Sequence, residues 1–205
     1  MSTDIAPIVG MTNEQAGRAA DRFQTFCRKE GTALPKDTVQ AVLEEEGEEL
    51  SADMFAALRA RVERRAKMIV RRAKVDRSRT PRQALDATGR NIYFCDDAVL
   101  ATAPMEGPEE VDVYFFDLDY DPTTAQLVAE YDKRGLKPDF AAQAAVNEAD
   151  TAFADERPNG LQWDLQENGV ASYAAFDRWG GGREARVYRD DDGWSRCCRF
   201  GGVRK

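Results

Sequence analysis

The residues best placed for chemistry are acidic. Asp117, Asp119 and Asp121 alternate in YFFDLDYDPTT, at the end of the most strand-like stretch of the chain. Carboxylates at this spacing could hold a hard metal ion through oxygen. A calcium loop would also need Gly at its sixth position and Glu at its twelfth, where this chain has Pro122 and Val128. The plainer reading is that the three aspartates cap the following helix and solvate the strand end. The chain has no histidine. That removes the usual proton shuttle near neutral pH, Ser-His-Asp and Cys-His catalysis, and most transition-metal sites. Catalysis would have to rest on carboxylates, Lys, Tyr, Cys or a hard cation. Cys27, Cys95, Cys197 and Cys198 fit no zinc spacing because CxxC pairs are absent, so buried reduced thiols are expected and no cofactor is called for.

The second group is basic. Twelve of the 32 residues from Arg59 to Arg90 are Lys or Arg and three are acidic, a local charge of +9, while the whole chain carries −8. The other 173 residues therefore carry −17. Arg61, Arg64, Arg65, Lys67, Arg71, Arg72, Arg77, Arg79 and Arg82 are the candidate partner-binding residues. A row of cations could neutralise phosphates. Arg77, Arg79 and Arg82 stand beside a helix start at Thr80, where free amides would suit a phosphate or carboxylate. Against nucleic acid stand the pI of about 4.8 and the acidic remainder, which repels polyanions. The alternatives are an acidic protein partner, self-association, or a solvated face partly paired with the glutamates at 44–46.

These groups need elements to position them. Thr12-Asn13-Glu14-Gln15 reads as a capping box, opening a helix over about 13–29. A second helix starts near Pro35 and ends in Glu44, Glu45, Glu46, Glu48 and Glu49, against its macrodipole. Ser51 is the expected N-cap of a third, with Phe55, Leu58, Val62, Ala66, Ile69 and Ala73 on one stripe. Short turns would join the three into a small helical subdomain. The period can also fail near Met68, since Ile69 to Asp76 reads equally as a strand. Thr80-Pro81-Arg82-Gln83 opens a short helix that ends at Gly89.

Val111–Leu118 is a strand buried on both faces. Helices follow from Thr123 or Thr124 to Gly135, and from Pro138 towards Arg157. Pro158-Asn159-Gly160 reads as a turn. Four strands then form an antiparallel meander: Leu161–Gln166, Val170–Trp179, Glu184–Asp190 and Ser195–Val203. Asn168-Gly169, Gly180-Gly181-Gly182 and Asp192-Gly193 are its turns. Trp163, Tyr173, Phe176, Trp179, Tyr188, Trp194 and Phe200, with Arg178, Arg183, Arg186, Arg189, Arg196 and Arg199, could stack bases on an open sheet, or simply form a core with charges outside. The fold class is α+β, with a helical region over 1–75 and an α+β domain over 76–205.

Two resemblances attach to these residues. YFFDLDYDPTT resembles the first motif of haloacid-dehalogenase-like phosphatases, which implies Asp117 as nucleophile, Asp119 as general acid/base and Mg²⁺ beside them. The departures are Asp121 in place of the motif's Thr, Tyr120 in place of its Gly, and a meander where further βα units belong. VDRSRTPRQALDATGR, AAVNEADTAFADERPNG and the ending FGGVRK resemble uncharacterised small accessory proteins encoded in bacterial phages and integrative elements, over about residues 69–205. That resemblance carries no activity, fold or site residues. It implies a counter-defence or inhibitor type of protein that binds a host complex, and an acidic surface can mimic nucleic acid.

No apolar run approaches the roughly 18 residues of a membrane span, and the N-terminus has no signal-peptide pattern, so a cytoplasmic location and no membrane partner are expected. The expected function is that of a non-enzymatic binding protein engaging a macromolecule, most readily a protein, by charge complementarity. The alternatives are nucleic-acid binding through 59–90 and Mg²⁺-dependent phosphoryl transfer by Asp117 and Asp119.

Overall fold

The first helix, α1 (Asn13–Glu30), begins where its capping box requires. The Thr12 hydroxyl accepts from the Gln15 amide, and Gln15 Oε1 accepts from the Thr12 amide at 2.9 Å. The computed structural model describes residues 11–205, so most of the N-terminal leader lies outside the described residues. A 3₁₀ turn at Gly31–Ala33 leads into α2 (Lys36–Glu45), and α3 (Gly47–Ala66) follows. The third helix does not start at Ser51. It starts at Gly47, and the Ser51 hydroxyl donates to the Gly47 carbonyl at 2.7 Å from inside the helix. Glu48 and Glu49 thus move from an unfavourable C-terminus to a first turn, where the macrodipole favours them.

Residues 11–62 are helical but build no core. Nothing in α1 or α2 is buried, and Phe23, Phe26, Leu34, Leu43, Phe55 and Val62 are all exposed. Short turns do join these helices, yet their apolar stripes face no buried partner among the described residues.

Residues 63–205 form the α+β unit. The sheet begins earlier than residue 76, because the helical period ends at Lys67, a non-glycine residue with φ of 51°. Met68–Lys74 is strand β1. Ile69 and Val70 prefer extended backbone, and β1 finds a full antiparallel partner in β3 (Glu110–Asp117), from Met68 opposite Phe116 to Lys74 opposite Glu110. Arg71, Arg72 and Lys74 therefore lie on a strand, not on the helix carrying Arg61. Between these strands come α4 (Pro81–Ala87), capped by Thr80 and Gln83, β2 (Asn91–Cys95) and the one-turn α5 (Asp97–Leu100). Then follow α6 (Thr124–Lys133), β4 (Leu136–Lys137), α7 (Phe140–Ala149), α8 (Phe153–Glu156), β5 (Asn159–Trp163), β6 (Ala171–Trp179), β7 (Gly182–Asp190) and β8 (Arg199–Arg204).

The strand order is β1-β3-β8-β5-β6-β7-β2, with β4 paired to β8. The meander holds for β5, β6 and β7. The last strand leaves it and runs antiparallel to β3 and parallel to β5. Asp192-Gly193 is accordingly no hairpin turn. Gly193 has φ of 76° and feeds Trp194 back over the sheet, where the indole packs on Gly160 and donates to Gln162 Oε1 at 2.9 Å. Asn159-Gly160 is not a turn either. Asn159 is fully buried, joined to Gln143 and Asn147 of α7 by amide hydrogen bonds of 2.8–3.1 Å, and Gly160 leaves room for Trp194.

One face of the sheet holds the core. Phe115, Leu161, Phe176, Val187 and Val203 pack there under α4, α5, α7 and α8. The other face is covered at its centre by α6, whose Tyr131 rests on Phe116 and donates to the Gly201 carbonyl at 2.7 Å. Adjacent glycines in β8 make both approaches possible. A Cβ on Gly201 would run into Gln143 of α7, and one on Gly202 would meet Tyr131 of α6 at 2.8 Å.

Candidate functional site

The basic segment is neutralised largely from within the sheet unit. Arg71 pairs with Glu63 at 3.5 Å and lies over the Phe153 ring. Arg72 reaches Glu110 at 3.0 Å and Asp112 at 3.4 Å across the β1–β3 ladder. Arg77 makes a two-pronged pair with Asp139, 2.9 and 2.8 Å, and also donates to the carbonyls of Met105 and Pro108. Arg79 holds Glu148 at 2.6 Å, and Arg82 reaches Asp86 and Asp97. These pairs raise Arg72 and Arg79 above the usual guanidinium range, each chiefly through hydrogen bonds to its carboxylates. The start of α4 is no open anion cradle, since Thr80 and Gln83 cap each other's amides. Arg61 and Arg65 are exposed on α3, and Lys67 faces Asp119 only at 3.9 Å. The side chain of Arg64 lies outside the described residues. The segment is thus not one basic face. The partners also differ from the expected ones: they are carboxylates of the sheet unit, not the glutamates at 44–46.

The three aspartates diverge. Asp117 lies between Arg157 at 3.1 Å and Arg199 at 3.4 Å. Asp119 is largely exposed. Asp121 accepts from the Arg196 backbone amide and guanidinium, which hold its carboxyl below the usual range. Among the described residues, the acidic triad whose ligand atoms lie within 4.8 Å of one another is Asp190–Asp191–Asp192, at the end of β7. Cys198 is half-buried, and burial pushes its thiol up to about 12, so it stays protonated at neutral pH.

What remains open is the second face of the sheet at the β6-β7-β2 end. A bulge in β2 sets it up. Ile92 pairs with Ala185 and Phe94 with Arg186, so Tyr93 is an extra residue. Ile92 and Cys95 turn into the core, while Tyr93 and Phe94 both reach the open face. There the Arg186 guanidinium lies 5.1 Å from the Tyr93 ring, and Phe94 meets Tyr188 edge-on at 5.7 Å. Tyr188 stacks obliquely on Tyr173 at 4.0 Å, and Tyr173 touches Trp194. Tyr93 is 67%, Phe94 53% and Trp179 73% exposed. The carboxylates of this face are Asp177, Glu184 and Asp190, continuing into Asp191 and Asp192. Among the described residues its one cation is Arg186, held by Asp177 at 3.2 Å and Glu184 at 3.0 Å. Burial raises the Asp177 carboxyl despite Arg186, and its buried Oδ1 has no hydrogen-bond partner. The other meander arginines point elsewhere. Arg178 and Arg183 pair with Asp155 of α8 on the core face, and Arg189 pairs with Asp164. A base-stacking platform would need cations beside its rings. Here the cation beside the Tyr93 ring, Arg186, is already held by Asp177 and Glu184. The meander aromatics read from the sequence as core or nucleic-acid platform leave out Tyr93 and Phe94, and the β2 bulge that exposes this pair has no local signal in Asn91–Cys95.

Comparison with known proteins returns no family model, no curated protein and no solved structure that matches this chain.

Proposed function

We propose that this chain is a non-enzymatic binding protein. Its partner is a protein bearing a Lys/Arg-rich segment, taken on the aromatic and acidic face of β2, β6 and β7. The observation that carries this reading is the bulged pair Tyr93 and Phe94, held open on a sheet face where, among the described residues, the carboxylates Asp177, Glu184 and Asp190 outnumber the cation Arg186. Aromatic faces attract Lys and Arg side chains, and neighbouring carboxylates strengthen that attraction and select against polyanions. The neutralisation of Arg71, Arg72, Arg77, Arg79 and Arg82 by fixed carboxylates weighs against the nucleic-acid alternative. The two arginines on Asp117 weigh against a nucleophilic role for it. A role as an accessory or counter-defence protein of a phage or mobile element accords with this reading, since such proteins act by binding.

The test uses the full chain and three labelled probes: a Lys/Arg-rich peptide, a single-stranded oligonucleotide and a duplex. Fluorescence anisotropy should report peptide binding that weakens with salt and falls about tenfold or more in Tyr93→Ala/Phe94→Ala. Oligonucleotide binding that disappears when Arg61, Arg64, Arg65, Arg71 and Arg72 become Ala, with no peptide binding, would overturn the proposal.

A further inference from the structure

Helix α3 is charged in two opposite halves. Its first twelve residues, Gly47–Leu58, hold Glu48, Glu49 and Asp53 and no cation. Its last eight, Arg59–Ala66, hold Arg59, Arg61, Arg64 and Arg65 against the single Glu63. The macrodipole accounts for the outermost of these charges, but its effect fades within one turn of each end. Asp53, Arg59 and Arg61 lie further in. All of Glu48, Glu49, Asp53, Arg59, Arg61 and Arg65 are exposed, and among the described residues none has an ion-pair partner. The sheet unit, by contrast, pairs most of its arginines. Between and beside the charges runs an apolar stripe of Leu50, Met54, Phe55, Leu58 and Val62, with Phe55 and Val62 about half exposed.

From this pattern we infer that α3 is a self-association helix, pairing antiparallel with α3 of a second copy of this chain. A two-fold interface puts the same surface on both sides, so it must be self-complementary. A helix that is acidic at one end, basic at the other and apolar between meets that condition in the antiparallel sense alone. In the parallel sense acid would face acid and base would face base. The surface lies on α3 and is separate from the aromatic face, so this inference stands or falls independently of the peptide-binding proposal.

The test is sedimentation equilibrium of the full chain up to high micromolar concentration. A dimer is expected that weakens about tenfold or more as salt rises, because its ion pairs are screened. That readout needs no substitution. Glu48→Lys/Glu49→Lys/Asp53→Lys should abolish the dimer, as should Arg59→Glu/Arg61→Glu/Arg65→Glu. Carrying both sets in one chain should restore it, which simple damage to the helix would not do. A monomer throughout, a dimer that tightens with salt, a dimer indifferent to either set, or no recovery in the combined variant overturns the inference.

Discussion

At the residue scale, the arginines differ more in where their partners lie than in number. Asp139 is almost wholly buried and also caps α7, accepting from the Ala142 amide at 2.9 Å. Removing Arg77 would strand that carboxylate. We expect Arg77→Ala to cost about 3 to 5 kcal/mol, read as a shift in urea midpoint at constant slope. Arg72→Ala, on an open ladder, should leave the midpoint unchanged within error. An equal shift from both would contradict the geometry. Glu130 adds a pH dependence. Burial alone would raise its carboxyl, but hydrogen bonds from Lys133 and Arg134 outweigh burial and hold it below the usual range. A depressed folded pKa contributes stability above the unfolded value, about 4.3, and loses it as pH falls through the folded value. Glu130→Gln should therefore lower stability at pH 7 and flatten the loss below about pH 4.3, measured as thermal midpoint against pH. Glu130 with Lys133 and Arg134 has the i,i+3 and i,i+4 spacing of a helix, but the Arg77 and Arg72 pairings could not be read from the sequence. Arg77 and Asp139 are 62 positions apart, and charge counting gives composition without partners.

At the element scale, local signals told the truth where local energies decide. The capping boxes at Thr12, Thr80 and Thr123 each set a helix start, and Gly180-Gly181 turns β6 into β7. Sequence reading missed where tertiary contacts overrode a local signal. Asn159-Gly160 carries turn chemistry, yet its amide serves a buried network and its missing side chain admits Trp194. The same logic explains Gly201 and Gly202, which sit in a strand with nothing local to require glycine. Gly201→Ala would push a methyl into Gln143 and Phe115. An overpacked contact of this kind costs about 1 to 3 kcal/mol, and the loss should show as a lower urea midpoint. A matched Ala substitution at exposed Gly17, whose added methyl meets nothing within 4 Å, should not destabilise. If Gly201→Ala behaves like Gly17→Ala, α7 does not approach β8 as described.

At the scale of the whole molecule, the charge split in the sequence proved to be two things. Part of the basic run is strand and loop that fixes acidic residues of the sheet unit. The other part, on α3, has no such partners among the described residues. The α+β class was legible because periodicity marks helices and strands wherever they pack. The absence of a helical core was not, because an amphipathic stripe reads the same whether or not anything covers it. This difference makes the two units separable by experiment. Both core clusters lie within residues 69–203. The three tryptophans, Trp163, Trp179 and Trp194, also lie in the sheet unit. A chain of residues 63–205 should therefore unfold in one cooperative step. Its tryptophan fluorescence midpoint should match that of the full chain within about 0.5 kcal/mol. The full chain should show a second helical transition by far-UV circular dichroism, silent in tryptophan fluorescence. If α3 pairs with a second copy, only that transition should move to higher temperature as protein concentration rises. A fluorescence midpoint that moves with concentration, or that collapses when 1–62 is removed, would place stability of the sheet in the helices and refute the separation argued here.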